Sequence, residues 1–246
     1  MKQCDNETLK MKLREFLSHQ GACSRRQAMQ LIQSGHVHVN GRVVTEPSSL
    51  IDPQNDQIML DGRTVEQRGY EYILLNKPGG YVTTVIDPHA DRTVMDLLPK
   101  ELQHIKPVGR LDKDTEGLLL LTNDGDTAYA LTHPKFDVDK TYEVKIAGVL
   151  TGTQKKQLEN GIILEGRKTA PAKVEHVKTT GKHTQFLMTI HEGRKRQIRQ
   201  MVGSLDHHVV YLKRIIQGPL KLGLLGPGRW RKLDTAEIKS LKELKP

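Results

Sequence analysis

VGRLDKDTEGLLLLTNDGD, Val108 to Asp126, places five ionisable side chains in one short loop directly before four consecutive leucines, Leu118 to Leu121. An apolar run of this length, closed by Asn123-Asp124-Gly125, reads as a buried strand ending in a turn. Burial accounts for the leucines and leaves the charges before them to be explained. Around this segment, Tyr72 to Leu75, Tyr142 to Ala147 and Gln185 to Ile190 also read as strands. Thr93 to Leu98, Asp126 to Thr132, Thr153 to Asn160 and Arg194 to Val202 read as helices. Strands and helices follow one another without regular alternation, and no GxGxxG or GxxxxGK[ST] loop follows a strand. The pattern predicts an α+β fold and argues against a doubly wound nucleotide-binding sheet.

The first quarter of the chain has a different character. Leu13, Phe16 and Leu17 sit at helical spacing, Gly21 interrupts the run, and Ser24 is placed to cap a second helix with Ala28, Leu31 and Ile32 on one face. Gly35 ends that helix. The alternation from His36 to Val39, the Asn40-Gly41 pair and Val43-Val44 then read as a hairpin, with a final strand at Gln57 to Leu60. The polar stretch after it puts a domain boundary near Arg68, giving a small domain over 10–68 and a larger one over 69–246.

Among 246 residues, 38 Lys and Arg stand against 29 Asp and Glu, a formal charge of +9 that favours a polyanionic partner. The excess is not evenly shared. Residues 1–68 hold nine basic and eight acidic residues, leaving +8 for the rest. Arg194, Lys195 and Arg196 form one cluster; Lys213 and Arg214 open a second, the tract Lys213 to Lys232, with six basic residues and no acid. Both read as basic surface. In the small domain, Ser24, Arg25 and Arg26 lie at a helix start, a setting suited to phosphate.

Two cysteines, Cys4 and Cys23, cannot build a disulfide framework, and the Cys and His residues show no metal-ligand spacing. His36, His38, His207 and His208 read as structural, and Lys77-Pro78-Gly79-Gly80 as a strand-ending turn without chemistry. No apolar run approaches the ~20 residues a membrane span requires, and the N-terminal stretch lacks the apolar segment of a secretory signal. A soluble protein of the reducing cytoplasm is expected.

SRRQAMQLIQSGHVHVNG, ILLNKPGGYVTT, PVGRLDKDTEGLLLLTNDGD, KTYEV, HEGRKRQIRQM and LKRIIQGPLKLG, in that order, resemble the bacterial ribosomal-RNA pseudouridine synthases that modify single uridines. The resemblance covers nearly the whole chain. It implies an αL-type RNA-binding domain, shared with a ribosomal small-subunit protein, followed by a catalytic domain with a mixed, mainly antiparallel sheet. It further implies a monomer that isomerises one uridine of ribosomal RNA, with no cofactor, metal or membrane. Carried over by motif, Asp112 is the nucleophile, Arg110 enters the RNA where the uridine leaves its stack, Tyr142 lies against the base, and Arg199 forms an ion pair with Asp112. The charges of the opening stretch then face substrate while the leucines anchor them, and Lys113 to Glu116 form a solvent-facing turn.

The chemistry moves the bond to ribose from the base nitrogen to a base carbon and consumes no external energy. A carboxylate can serve by forming and releasing a covalent bond, or by assisting an elimination at the sugar. A non-catalytic ribosome-assembly factor on the same scaffold need not keep the reacting positions, and Asp112, Tyr142 and Arg199 are all present. Arg196 before Gln197, where the related branch has histidine, resembles the single-site ribosomal branch. HEGRKRQIRQM and PAKVEHV look more like the large-subunit enzymes, with a small-subunit target as the alternative.

Overall fold

The computed structural model describes residues 10–244. Cys4 and the expectation about the N-terminal stretch lie outside them. Two compact units emerge, one from the chain up to Glu71 together with Asn123–Gly125, the other from Tyr72–Thr122 and the chain from Asp126 onward.

In the first unit the elements run β1 (Met11–Lys12), α1 (Leu13–His19), α2 (Arg25–Gln33), β2 (Val37–Val39), β3 (Arg42–Val43), β4 (Leu50–Ile51), β5 (Ile58–Leu60) and β6 (Arg63–Thr64). Ser24 caps α2 through a capping box: its Oγ accepts from the Gln27 N–H at 3.2 Å while Gln27 Oε1 accepts from the Ser24 N–H at 3.0 Å. Leu13, Phe16 and Leu17 of α1 meet Ala28 and Ile32 of α2 over Val37, Ile51 and Ile58, with half-buried Cys23 packed against this core. Burying each large apolar side chain contributes about 1.5–3 kcal/mol, and that burial holds the two short helices together. Asn40 and Gly41 both take positive φ, 51° and 78°, as the two-residue hairpin between β2 and β3 requires.

The second unit contains β7 (Tyr72–Lys77), β8 (Lys106–Pro107), β9 (Glu116–Thr122), α3 (Gly125–Thr132), β10 (Lys140–Ala147), α4 (Gly152–Asn160), β11 (Ile163–Leu164), β12 (Arg167–Lys168), β13 (Lys173–Thr180), β14 (His183–Ile190), α5 (Gln197–Gly203), β15 (His208–Gln217), β16 (Leu220–Lys221), β17 (Trp230–Lys232) and α6 (Thr235–Lys242). The large sheet has the order β13-β14-β10-β15-β9-β7-β17, with β8 and β16 on β9 and β15. Its pairs are antiparallel except β15 with β9. The fold is α+β.

The four leucines now have a physical explanation. Leu119 and Leu121 belong to one core with Ile73, Leu75, Val144 and Met188, whereas Leu118 and Leu120 belong to the other with Tyr72, Leu74, Val138 and Leu220. A strand buried on both faces loses its alternation and reads as a continuous apolar run.

Several expectations need correction. The helix expected over Thr93 to Leu98 is a short 3-10 turn, Val94–Leu97. The helix expected from Arg194 starts at Gln197, because Arg196 adopts φ 51° and the three residues before α5 form a turn closed by Gln197, whose side chain accepts from the Arg194 N–H at 3.0 Å. The tract opening at Lys213 is not simply basic surface: its first residues complete β15, a ten-residue strand inside the sheet.

Candidate active site

Asp112 lies between β8 and β9, on the wall of a cleft of about 730 Å³ in the second unit. The loop that carries it is tied down by its backbone. Thr83 Oγ1 donates to the Leu111 carbonyl at 2.8 Å and accepts from the Leu111 N–H at 3.2 Å. The Thr115 N–H donates to the Asp112 carbonyl at 3.0 Å, and the Gly80 N–H to the Lys113 carbonyl at 2.9 Å.

Lys77 completes this support. It is fully buried, and its ammonium donates to the carbonyls of Pro78, Lys113 and Thr115 at 3.0, 3.1 and 2.9 Å. Lys77-Pro78-Gly79-Gly80, read as a strand-ending turn without chemistry, does end β7 at Lys77, and Lys77 has a further, structural part that the reading missed. A lysine ending an apolar strand reads as the edge of a strand, and nothing local marks it as a tether for carbonyls 36 residues later.

Burial pushes the Lys77 ammonium down to about 8, against the upward pull of Glu116, Asp114 and Asp112. A neutral amine has two N–H groups for three carbonyls. Activity is expected to decline as pH rises through about 8, because the loop loses one tether. Stability is expected to move the other way: the folded pKa lies below 10.5, so the cost of burying the charge is present below about 8 and is relieved between about 8 and 10.5. Single-turnover rates and urea midpoints between pH 7 and 10 check both signs. A flat rate profile across that window would exclude the tether.

Arg199 departs from expectation. No ion pair joins it to Asp112 among the described residues. Its Nη2 donates to the Asp114 carbonyl at 3.2 Å and its Nη1 to the Val209 carbonyl at 3.3 Å, so it staples the loop to β15. Its pKa is lowered chiefly by burial and then by Arg196, with Asp114 and Asp112 opposing. The physical reason is a competition that motif order does not reveal: fixed backbone acceptors lie nearer the guanidinium than the carboxylate does.

Tyr142 is buried on β10 and lines the cleft, directly opposite Arg214 in the β10–β15 ladder. Arg214, expected on a basic surface, is 3% exposed and lines the same cleft. Its Nε donates to the Leu118 carbonyl at 2.9 Å, and its Nη2 is buried without a hydrogen-bond partner. This depth is possible because Arg214 pairs in parallel with Gly117: a Cβ there would lie 2.1 Å from the Arg214 carbonyl oxygen. Gly117 also has φ 103°, which L side chains rarely adopt.

The remaining charged positions divide by environment. Arg110, Lys195 and Arg196 are exposed and border the cleft, as a surface meeting phosphate would require. Arg194 also borders it, but its guanidinium is spent on the Arg167 and Lys168 carbonyls, at 3.0 and 2.7 Å, and on Glu192. Lys213 is half-buried on β15, and the residues lining the cleft do not include it. Arg25 and Arg26 are exposed in the first unit beside the Ser24 cap. Glu116 is part of neither a free turn nor the cleft wall: it accepts from the Tyr211 hydroxyl at 3.0 Å, and burial, reinforced by this bond, raises that phenol to about 12.

The second unit thus carries an aspartate loop, a tyrosine and basic groups on one cleft of a mixed sheet, and the first is a separate small unit of two helices and short strands. Residues 71–204 match the RNA pseudouridylate synthase family, and residues 11–58 match the S4 domain. Ribosomal large subunit pseudouridine synthase B of Bacillus subtilis (strain 168) is 43% identical over 95% of this chain and 96% of its own. An RNA pseudouridine synthase of Aquifex aeolicus (strain VF5) is 39% identical over 95% and 94%. A crystal structure of a pseudouridylate synthase, 31% identical, superposes with a TM-score of 0.67 over 94% of this chain and 99% of that one. The chain belongs to the RNA pseudouridine synthases.

Proposed function

We propose that this synthase converts one uridine of ribosomal RNA, in the large subunit, to pseudouridine, with Asp112 as the reacting carboxylate. The observation that carries the assignment of Asp112 is its placement: its loop backbone is held by Lys77, Thr83 and Arg199 while the residue faces the cleft that Tyr142 and Arg214 also line. Such tethering sets a nucleophile in position before substrate arrives. The large-subunit target follows the name of the Bacillus subtilis relative.

In this reading the uridine leaves its stack at a cost of ~a few kcal/mol and enters the cleft. Arg110, exposed beside Asp112, fills the gap left in the RNA, and Tyr142 lies against the base. Lys195 and Arg196 hold phosphates at the rim, and Arg194, already bound to protein carbonyls, shapes that rim. Residues 10–68 act as an RNA-binding domain and residues 69–246 as the catalytic domain, in a monomer acting in the cytoplasm. Among the described residues no helix is long and apolar enough to cross a membrane.

Mapping pseudouridine in ribosomal RNA from cells with and without the protein tests the assignment. Loss of one large-subunit pseudouridine is expected, and an unchanged map would overturn it. A second measurement addresses binding. Replacing Arg25 and Arg26 together with alanine is expected to weaken RNA affinity and lower the slope of log affinity against log salt by roughly 1–2, leaving the rate at saturation nearly unchanged. An unaltered slope would take both arginines out of the interface.

A further inference from the structure

The cleft holds one carboxylate and one buried guanidinium that make no ion pair among the described residues, Asp112 and Arg214. Its other cations are committed or screened. Lys140 donates to the Val138 and His191 carbonyls at 2.8 and 3.0 Å. Arg194 is held by the Arg167 and Lys168 carbonyls and by Glu192. Arg110, Lys113, Lys195 and Arg196 are exposed to water, which weakens their field. Arg214 differs on each count: it is 3% exposed, oriented by its Nε bond to Leu118, and left with a buried Nη2 that has no acceptor. Lys140 lies close enough for the Arg214 charge to add to burial in depressing its pKa, with Asp139 and Asp137 opposing.

A buried, unmatched donor costs roughly 1–3 kcal/mol, and the cost persists in a fold when an acceptor arrives with the substrate. The acceptor must sit against Tyr142, the cross-strand neighbour of Arg214, and that is where the base lies in the proposed function.

We propose that Arg214 is a catalytic residue that stabilises the uracil anion formed when the target uridine loses its bond to ribose, an inference that rests on the cleft being the isomerising site. On either route through Asp112 at the sugar, covalent or eliminative, the C1′–N1 bond breaks and its electron pair passes to N1, spreading onto O2 and O4. The free N–H groups of Arg214 donate to one of these oxygens. On the covalent route no proton moves in this step; on the eliminative route Asp112 takes the C2′ proton as the bond breaks and returns it to C2′ when C5 bonds to C1′. The base then rotates, C5 bonds to C1′ and the carboxylate is regenerated. C5 loses its proton to solvent and N1 takes one up, so the product is an isomer. Holding the base while it is detached also keeps it in the site, since a free uracil anion would otherwise be lost to water.

The test compares uridine with 5-fluorouridine at the target position of a large-subunit RNA fragment. Fluorine stabilises the uracil anion, so cleavage depends less on help from the protein. Arg214→Gln is expected to slow single-turnover cleavage of the uridine substrate by about 10²–10³-fold, and of the 5-fluorouridine substrate by a factor at least about tenfold smaller, with little change in RNA affinity. Arg214→Lys, which keeps the charge and is read instead if the glutamine variant does not fold, is expected to show the same ordering with smaller losses. Equal losses on both substrates, or a loss confined to affinity, would overturn the proposal. Failure of the unmodified protein to convert uridine in any ribosomal RNA would instead remove the functional reading beneath it, and the proposal with it.

Discussion

Asp112→Asn is expected to reduce pseudouridine formation by roughly 10⁴-fold or more while RNA affinity stays within a few-fold of the original. The amide is nearly the same size as the carboxylate but can neither form a releasable bond to the sugar nor accept a proton usefully. The substitution should not disturb the loop. The bonds that hold it run through the backbone of Leu111 to Thr115, to Lys77, Thr83 and Arg199, and none uses the Asp112 side chain. The change therefore separates chemistry from architecture. Single-turnover conversion and binding measured on the same RNA fragment check it, and an asparagine variant with ordinary turnover would refute the assignment.

Gly117→Ala is expected to destabilise the protein by about 3 kcal/mol or more and to abolish activity. The new Cβ would lie 2.1 Å from the Arg214 carbonyl oxygen and 2.8 Å from its nitrogen, and both are backbone atoms that cannot swing aside. The φ of 103° adds strain that only glycine avoids. Relief requires β9 and β15 to part at their parallel pairing, Lys213 with Glu116 and Arg214 with Gly117. That separation would withdraw Arg214 from the cleft and loosen the Asp112 loop, whose tie to β15 passes through Arg199. Urea unfolding midpoints and single-turnover rates measure the two effects. A loss of stability below about 1 kcal/mol would mean that the strands tolerate the methyl group.

What the sequence determined by itself lies in local patterns and in ordered motifs. The capped α2, the Asn40-Gly41 hairpin and the leucine strand β9 were legible because each depends on a few neighbouring residues: a hydroxyl three positions before Gln27, two residues able to take positive φ, an unbroken apolar run. The family resemblance came from the order of segments such as GRLD, KTYEV and GRKRQIR, and from it came the candidate role of Asp112.

Besides several short strands, two long ones were hidden for physical reasons. β13 lies at the sheet edge and is mostly exposed, with a break in register around His176, so it carries no alternating pattern. β15 carries Lys213 and Arg214 at its centre and looked like a basic tract. Only the tertiary structure decided which cations face the cleft, because that depends on side-chain acceptors and strand neighbours far apart in the chain. It turned Arg199 toward two backbone carbonyls, buried Lys77 beneath the Asp112 loop, and drew Arg214 inward past Gly117 to lie opposite Tyr142. A charged residue's type states that it can pair; its burial and the acceptors within reach decide with what.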